Sequence, residues 1–561
     1  MCVSRPLAGF FFSILVVRAA APVIFFTDLD SGPKTGGESN NGVYVTLYGS
    51  NFGASRGTST VTVGGGAPVQ YKVWSAGVWG GASGTSYDKV TVQLGASAAS
   101  GNIVLTTSSG ASNGVPFTVR AGNIYFVSNS GSDTAAGTFA APWATLTHAR
   151  DAMSPGDTVY ARAGTYLNVD DGSGWSTCLK LTSANSGTAS GNNAFVAYPG
   201  EVANLGDTNN CGTTIRGTDS AGENYWTFAG FATVIGHDIT FNPADAHNWR
   251  IVGNSNVTCP NGNSQSGCVD LGGIQDGTEY NYWVYGNNIN HAATNNSPGS
   301  VTALYHGVYL SQQMHGVQFA WNTVANVYGG RCIQQNVNDN SPTDHSSSYD
   351  LHIHDNVIHD CQADGIIMTT VNPSLGTVEL YNNIIYNAGI GPNNLEGSGT
   401  WSCIDVQGWQ NGYSSGESGT IQVYNNSMYG CGTFANPPYT ESSGGFLWEP
   451  GNTQKTVNFY NNIIQLTTGP PNLPYLAVYA FNGAWCTTAA PCTDLTGSNN
   501  DFYGLGGVPA NVVLTGSLNL NPQFTSNYLV GNAALAGLGP ILTIATQTGP
   551  VAPANVSATA K

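Results

Sequence analysis

Six short segments carry polar side chains at repeated offsets: GCVDLG (267–272), HGVYLS (306–311), RCIQQN (331–336), DGIIMT (364–369), SCIDVQ (402–407) and GGFLWE (444–449). Their first positions put His306, Arg331 and Asp364 on three successive units. An arginine flanked by a histidine and an aspartate could clamp a sugar carboxylate and present a base for the proton beside a uronate carbonyl. An ordinary turn-side ion pair between Arg331 and Asp364 is the plain alternative. A second set uses later positions, where Asp405 and Glu449 fall on neighbouring units two residues out of step. If the units stack as strands, their carboxylates lie roughly 8 Å apart, which fits an inverting glycosidase; two independent surface acids would look the same. Asp270 sits four steps from Asp405, roughly 19 Å, and cannot join that pair. Tyr309, Gln334 and Trp409 are placed to stack on or hydrogen-bond a sugar, whereas Trp448 falls in an inward column.

His352 and His354 alternate in LHIHDN, with His359 following after a turn. That spacing could share a metal, or could equally be a solvated strand face that needs none.

The elements that must position these groups form a repeat. YWVYGN, VQFAWN, LHIHDN, VELYNN, IQVYNN, VNFYNN and LTGSNN align on Asn287 or Asn288, then Asn322, Asn356, Asn383, Asn426, Asn462 and Asn500. Spacings of about 27 to 43 residues with alternating apolar positions before each polar stop describe a solenoid. In the segments of the first paragraph the third position is always Val, Ile or Phe, so Val308, Ile333, Ile366, Ile404 and Phe446 should form one buried row, with the fourth position facing out. Two strands per coil, stacked in parallel, are expected, with the asparagines bonding along the stack as a structural series.

Charged residues make up only 8% of the chain, yet the formal charge is −17, from 32 acidic against 15 basic residues. Such a field disfavours nucleic acid and anionic membranes as partners. The acidic excess is compatible with calcium but equally with solubility alone. Residues 1–21 read as a signal peptide, with the apolar run LAGFFFSILVV before AAA, and no later stretch reaches the ~18 apolar residues of a membrane span. An exported, extracellular or periplasmic protein is expected. Beyond Cys2, ten cysteines remain, an even number suited to disulfides, with Cys259–Cys268 and Cys486–Cys492 closing short loops. The sequons Asn256-Val-Thr and Asn555-Val-Ser matter only in a host that glycosylates.

Residues 22–120 read as a small all-β module of short strands with Gly and Ser turns. The run GVYVTLYGSNFG, then VTVGG, closing with GNIVLTTSSGASNGVPFTV, resembles the IPT/TIG family of immunoglobulin-like domains. That resemblance implies a spacer or interaction module, and leaves Lys72 and Lys89 as surface residues. From Ile124 the text becomes IYFVSNSGSDTAAGTFAAPWATLTHARDAMSPGDTVYARAGTY, continuing through LTSANSGTASGNNAFVAYPGE to NPQF near Asn521. This resembles right-handed parallel β-helix proteins of the pectate-lyase-like superfamily. PWATLTHARDAM fits an amphipathic helix plugging the open end of the solenoid through Leu146, Ala149 and Met153.

The resemblance implies action on polysaccharide, since many members cleave acidic polymers by β-elimination with a Lys or Arg base and Asp-bound calcium. Others are hydrolases, epimerases or binding proteins, and fold alone does not choose. Lys180 lies in first-coil scaffold and Lys455 at a turn, so a lysine-based lyase is poorly supported. The paired-Asp and GHG pattern of polygalacturonases is missing from the sequence, GHD (236–238) being a strand start. The expected architecture is therefore all-β: a signal peptide (1–21), an Ig-like β-sandwich (22–120), a right-handed parallel β-helix (123–545) and a disordered tail (546–561). A polysaccharide lyase is the leading expectation, with an inverting glycoside hydrolase and a non-enzymatic carbohydrate-binding adhesin as the alternatives.

Overall fold

The computed structural model describes residues 20–540 apart from 80–86, 168–175, 218–221, 244, 273–278, 298–299, 302–303, 338–346, 392–400, 409–415, 434–443, 452, 467–474, 479–485, 505–507 and 527. Three parallel sheets dominate it. The first runs from Ile124–Val127 to Val512–Thr515 in 13 strands, the second from Gly164–Tyr166 to Asp501–Gly504 in 11, and the third from Thr177–Leu181 to Leu476–Val478 in 10. Each coil thus contributes three strands where the sequence pattern suggests two. The extra one follows each asparagine stop directly, as Val357–Cys361 follows Asn356, so in the sequence it reads as a continuation of the strand before it.

The aligned row is observed as expected. Val308, Ile333, Ile366, Ile404 and Phe446 are consecutive register partners on the third sheet, all buried. The asparagine series is a ladder through the corner between the first and second sheets. Each side chain donates to the next, Asn287 to Asn322 at 3.0 Å and Asn356 to Asn383 at 3.0 Å, while also bonding backbone of the preceding coil. Asn287, not Asn288, is the member, and Asn254 extends the ladder by one coil. A buried amide must satisfy both its donors and its acceptor, and identical neighbours at strand spacing do this for one another.

Helix Leu146–Ala152 caps the first coil with Leu146 and Ala149 buried and Met153 packed against the same core. The ten cysteines among the described residues all pair: Cys178–Cys211, Cys259–Cys268, Cys332–Cys361, Cys403–Cys431 and Cys486–Cys492.

The N-terminal module consists of a four-stranded and a five-stranded sheet, largely antiparallel, around a core that includes Leu47, Val61, Val90 and Leu105. It is no loose spacer, because its apolar cluster continues into Tyr160, Val252, Tyr285 and Trp321 on the outer face of the solenoid's first sheet. Tyr44 N–H donates to Tyr160 Oη at 2.7 Å and Arg250 reaches Thr27 O at 2.9 Å. Neither Lys72 nor Lys89 is the plain surface residue expected. Lys72 Nζ bonds Tyr198 Oη of the solenoid at 2.8 Å, and burial holds the Lys89 ammonium below its ordinary pKa.

Candidate functional site

The third sheet presents its fourth-position side chains in one outward column, Asp270–Tyr309–Gln334–Ile367–Asp405–Leu447, so that Asp270 is four steps from Asp405. Outward does not mean exposed here, as Gln334, Ile367, Asp405 and Leu447 are all buried. Trp409 lies outside the described residues.

The two constellations expected separately are neighbours. His306, Arg331, Asp364 and Ser402 stand two residues before the buried row on four successive coils. Arg331 N–H donates to His306 Nδ1 at 3.3 Å, Arg331 Nε lies 3.5 Å from Asp364 Oδ2, and Ser402 N–H donates to Asp364 Oδ1 at 2.6 Å. Asp405 follows three residues after Ser402, and Gln407 on its strand is opposite Glu449 on the next, so Asp405 and Glu449 are two residues out of register on adjacent strands. The negative fields of Asp364 and Glu449 both reach Asp405, with Arg331 opposing them.

These contacts set the protonation states. Asp405, 1% exposed, has its carboxyl pushed well above the ordinary range by burial first and then by Asp364 and Glu449, against Arg331 and a hydrogen bond from Gln407. Asp364, also 1% exposed, is raised to about 6 by burial, partly offset by Arg331. His306 is held well below its ordinary value by burial and by the Arg331 charge, so its ring is neutral, and it is 1% exposed. Burial lifts the Tyr309 phenol to about 12, and its ring lies 5.3 Å from that of His306.

Several polar atoms here are buried without a hydrogen-bond partner: Arg331 Nε, Gln334 Oε1, Asp364 Oδ2, Ser402 Oγ and Asp405 Oδ1. Native interiors rarely leave such atoms orphaned, and a cluster of them marks a place built for something further. Tyr309 extends the polar surface through Asn336, whose Nδ2 donates to Tyr309 Oη at 3.3 Å and whose Oδ1 accepts from Thr369 at 2.8 Å. Disulfides Cys332–Cys361 and Cys403–Cys431 follow Arg331 and Ser402 immediately and tie these strand starts to the second-sheet side of the solenoid.

The site residues that sequence reasoning missed are Ser402, Trp401 and Gln407. Trp401 is buried, with its ring centroid 5.9 Å from the Arg331 guanidinium. Gln407 Nε2 donates to Asp405 Oδ2 at 2.9 Å. Its alternation with Asp405 in SCIDVQ was the available signal. Lys455 is not at a turn but inside strand Gln454–Tyr460, fully buried and paired with Glu417. The histidines each have their own carboxylate partners: His352 between Asp350 and Glu379, His354 on Asp355 and stacked at 4.5 Å on Tyr381, and His359 through Nδ1 on Asp360 and stacked at 4.6 Å on Tyr386, with its Nε2 buried and without a hydrogen-bond partner.

Among the described residues, the one group of three potential ligands close enough to share a metal is Cys486, Cys492 and Asp494, whose two sulfurs are bonded to each other. Asp364, Asp405 and Glu449 are not among the groups whose ligand atoms lie within reach of one ion.

Residues 125–257 match the family described as the Pel9A-like right-handed β-helix region. Among solved structures, pectate lyase Pel9A aligns over 74% of this chain and 89% of its own at 13% identity and TM-score 0.42. XylC, solved in complex with xylose, aligns over 72% and 87% at 12% identity and TM-score 0.34, and a rhamnogalacturonan lyase over 72% and 87% at 17% and 0.32. No curated protein matches the chain.

Proposed function

We propose that the protein is a carbohydrate-active enzyme that hydrolyses glycosidic bonds of a polysaccharide lying along the third sheet, with Asp405 as general acid and Glu449 as the base that activates water. The Asp405 carboxyl carries this reading. It is buried, held protonated by burial beside two further carboxyls, and has one oxygen without a partner. Glycoside hydrolysis needs one carboxyl kept protonated to protonate the leaving oxygen and a second one ionised, and environments that push two acids apart supply that pair. Glu449 is less buried than Asp405, as suits a group that must meet water. Strands about 4.8 Å apart and a two-residue offset separate the two positions by roughly 8 Å, leaving room for a water and implying inversion at the anomeric carbon. Tyr309 and Gln334 would contact sugars further along the column. The match of residues 125–257 to a β-helix region named after a pectate lyase supports carbohydrate as the substrate class, and five disulfides fit an exported protein.

A second reading, β-elimination from a uronate polymer, draws on Arg331, whose Nε is buried without a hydrogen-bond partner and could clamp a carboxylate. As its base, His306 is disfavoured, because its Nδ1 already accepts the Arg331 N–H. Incubation of the purified protein with pectate, alginate and neutral plant glycans separates the readings. Hydrolysis raises reducing ends alone, elimination also raises unsaturated-product absorbance, and an adhesin changes neither while still binding polymer.

A further inference from the structure

The strand that carries Asp405 ends in an unusually constrained corner. Gln407 Nε2 donates to Asp405 Oδ2 at 2.9 Å, while Asp405 Oδ1 is buried and without a partner. Gln407 is itself fixed through its main chain: its carbonyl accepts from Lys455 Nζ at 3.3 Å. Lys455 is fully buried and paired with Glu417, whose other oxygen accepts from Ser347 Oγ at 2.7 Å. The next residue, Gly408, donates its N–H to Glu449 O at 2.6 Å, and a Cβ at Gly408 would fall 1.9 Å from Pro450 O. No side chain fits there without moving the backbone. A buried ion pair is weak evidence for stability, because desolvating both charges offsets much of their attraction. Here its geometric effect is specific, since it pins the main chain between the two proposed catalytic acids.

We infer that Gln407 is a positioning residue that holds Asp405 Oδ2 and so leaves Oδ1 as the oxygen bearing the transferable proton. An amide N–H donates to an unprotonated oxygen, so a neutral carboxyl in this geometry has Oδ2 as its carbonyl oxygen and Oδ1 as its hydroxyl. The glycosidic oxygen must then approach Oδ1, and the proton passes from Oδ1 to that oxygen as the C–O bond breaks. The inference rests on the hydrolase reading for its catalytic consequence, but not for its geometry.

Two variants test it. Gln407→Leu removes the donor at similar volume, and Gln407→Asn keeps an amide one methylene too short to reach. Asp405 is faced by Asp364, Glu449, Arg331 and Gln407; of these Asp364 and Glu449 raise its pKa, and Arg331 and Gln407 lower it. Loss of the Gln407 bond therefore raises it further. For a general acid, activity is lost as pH rises through that pKa, so both variants should move the basic limb of the kcat profile to higher pH. Both should also lower kcat about tenfold or more with little change in KM. A purely structural role would lower kcat or melting temperature without moving the limb. The geometric part is read without turnover, as the infrared carbonyl band of a protonated carboxyl that disappears in Asp405→Asn. That band should shift to higher frequency in both Gln407 variants as its hydrogen bond is lost. An unmoved band, or an unmoved limb in active variants, overturns the inference. A shifted band in a protein that cleaves no polymer sustains the positioning and removes the hydrolase reading alone.

Discussion

Arg331 Nε lies 3.5 Å from Asp364 Oδ2 across adjacent coils, yet neither atom has a hydrogen-bond partner. An ion pair formed without its hydrogen bond leaves a donor and an acceptor facing the same space. This open pair borders the Asp405 carboxyl, and its partial neutralisation of Asp364 moderates the negative field there.

The order of mutational effects follows. Asp405→Asn and Glu449→Gln should each lower kcat about a thousandfold or more, since each removes a proposed proton-transfer group of the transition state. Arg331→Ala should cost less and His306→Ala less again. Elimination demands the reverse order. Rates on the responsive polymer, with circular dichroism to show that each variant folds, decide between the two.

Three groups with raised pKa values contribute stability that is lost as pH rises, over two windows. Asp364 and Asp270 are both raised to about 6, so between about pH 4 and 6 the folded chain holds protons that the unfolded chain releases. Their contribution is present at the acid end of that window and lost through it, at most about 3 kcal/mol for each. His352 is raised to about 9 by Asp350 and Glu379 despite burial, so its contribution is complete below about pH 6.5 and lost as pH rises through 9. Burial holds His306 and His247 below their ordinary values, so they contribute with the opposite sign in the lower window, and the acids are read as a difference between parent and variant. Relative to the parent, Asp364→Asn should lose less stability as pH rises through the lower window and His352→Gln less through the upper, measured as melting temperature against pH.

The asparagine ladder was legible before the structure because identical residues recurred at every corner, and the buried row from Val308 to Phe446 because its apolar choice never varied. The third strand of each coil was not, since only two residues separate it from the strand before it, as Asp355 and Asn356 do between Tyr349–His354 and Val357–Cys361. The union of the two site constellations was hidden for a different reason. Sequence alignment ranks residues by column, whereas Asp364 and Asp405 belong to different columns that a bend at the strand start brings within one field. Lys455 was misplaced because a lysine beside a turn ordinarily faces water, and its partner Glu417 lies on another coil.

A mid-ladder amide should matter more than a terminal one. Asn356 accepts from Asn322 N and Nδ2, and donates to Asn383 and Phe319 O. Asn356→Ala orphans several buried groups and should cost about 3 kcal/mol or more. Asn500→Ala, at the end of the ladder, should cost visibly less. Denaturant unfolding of both variants measures the difference.

Without reduction, alkylation should leave Cys178, Cys211, Cys259, Cys268, Cys332, Cys361, Cys403, Cys431, Cys486 and Cys492 unlabelled. Replacing Cys332 and Cys361 together by alanine should cost about 2–5 kcal/mol and lower activity more than replacing Cys486 and Cys492, because the first pair adjoins Arg331. Peptide mapping and turnover of the two double variants test this.

Asp405 and Glu449 are proposed to hydrolyse a glycosidic bond with a water between them. Proton NMR of the products during turnover tests it most directly, because one spectrum distinguishes the anomers of a new reducing end and reveals any vinylic proton. A new end of inverted anomeric configuration without a vinylic signal is expected from the parent protein, and no new end from Asp405→Asn. A retained configuration, an unsaturated end, or undiminished product from Asp405→Asn would contradict it.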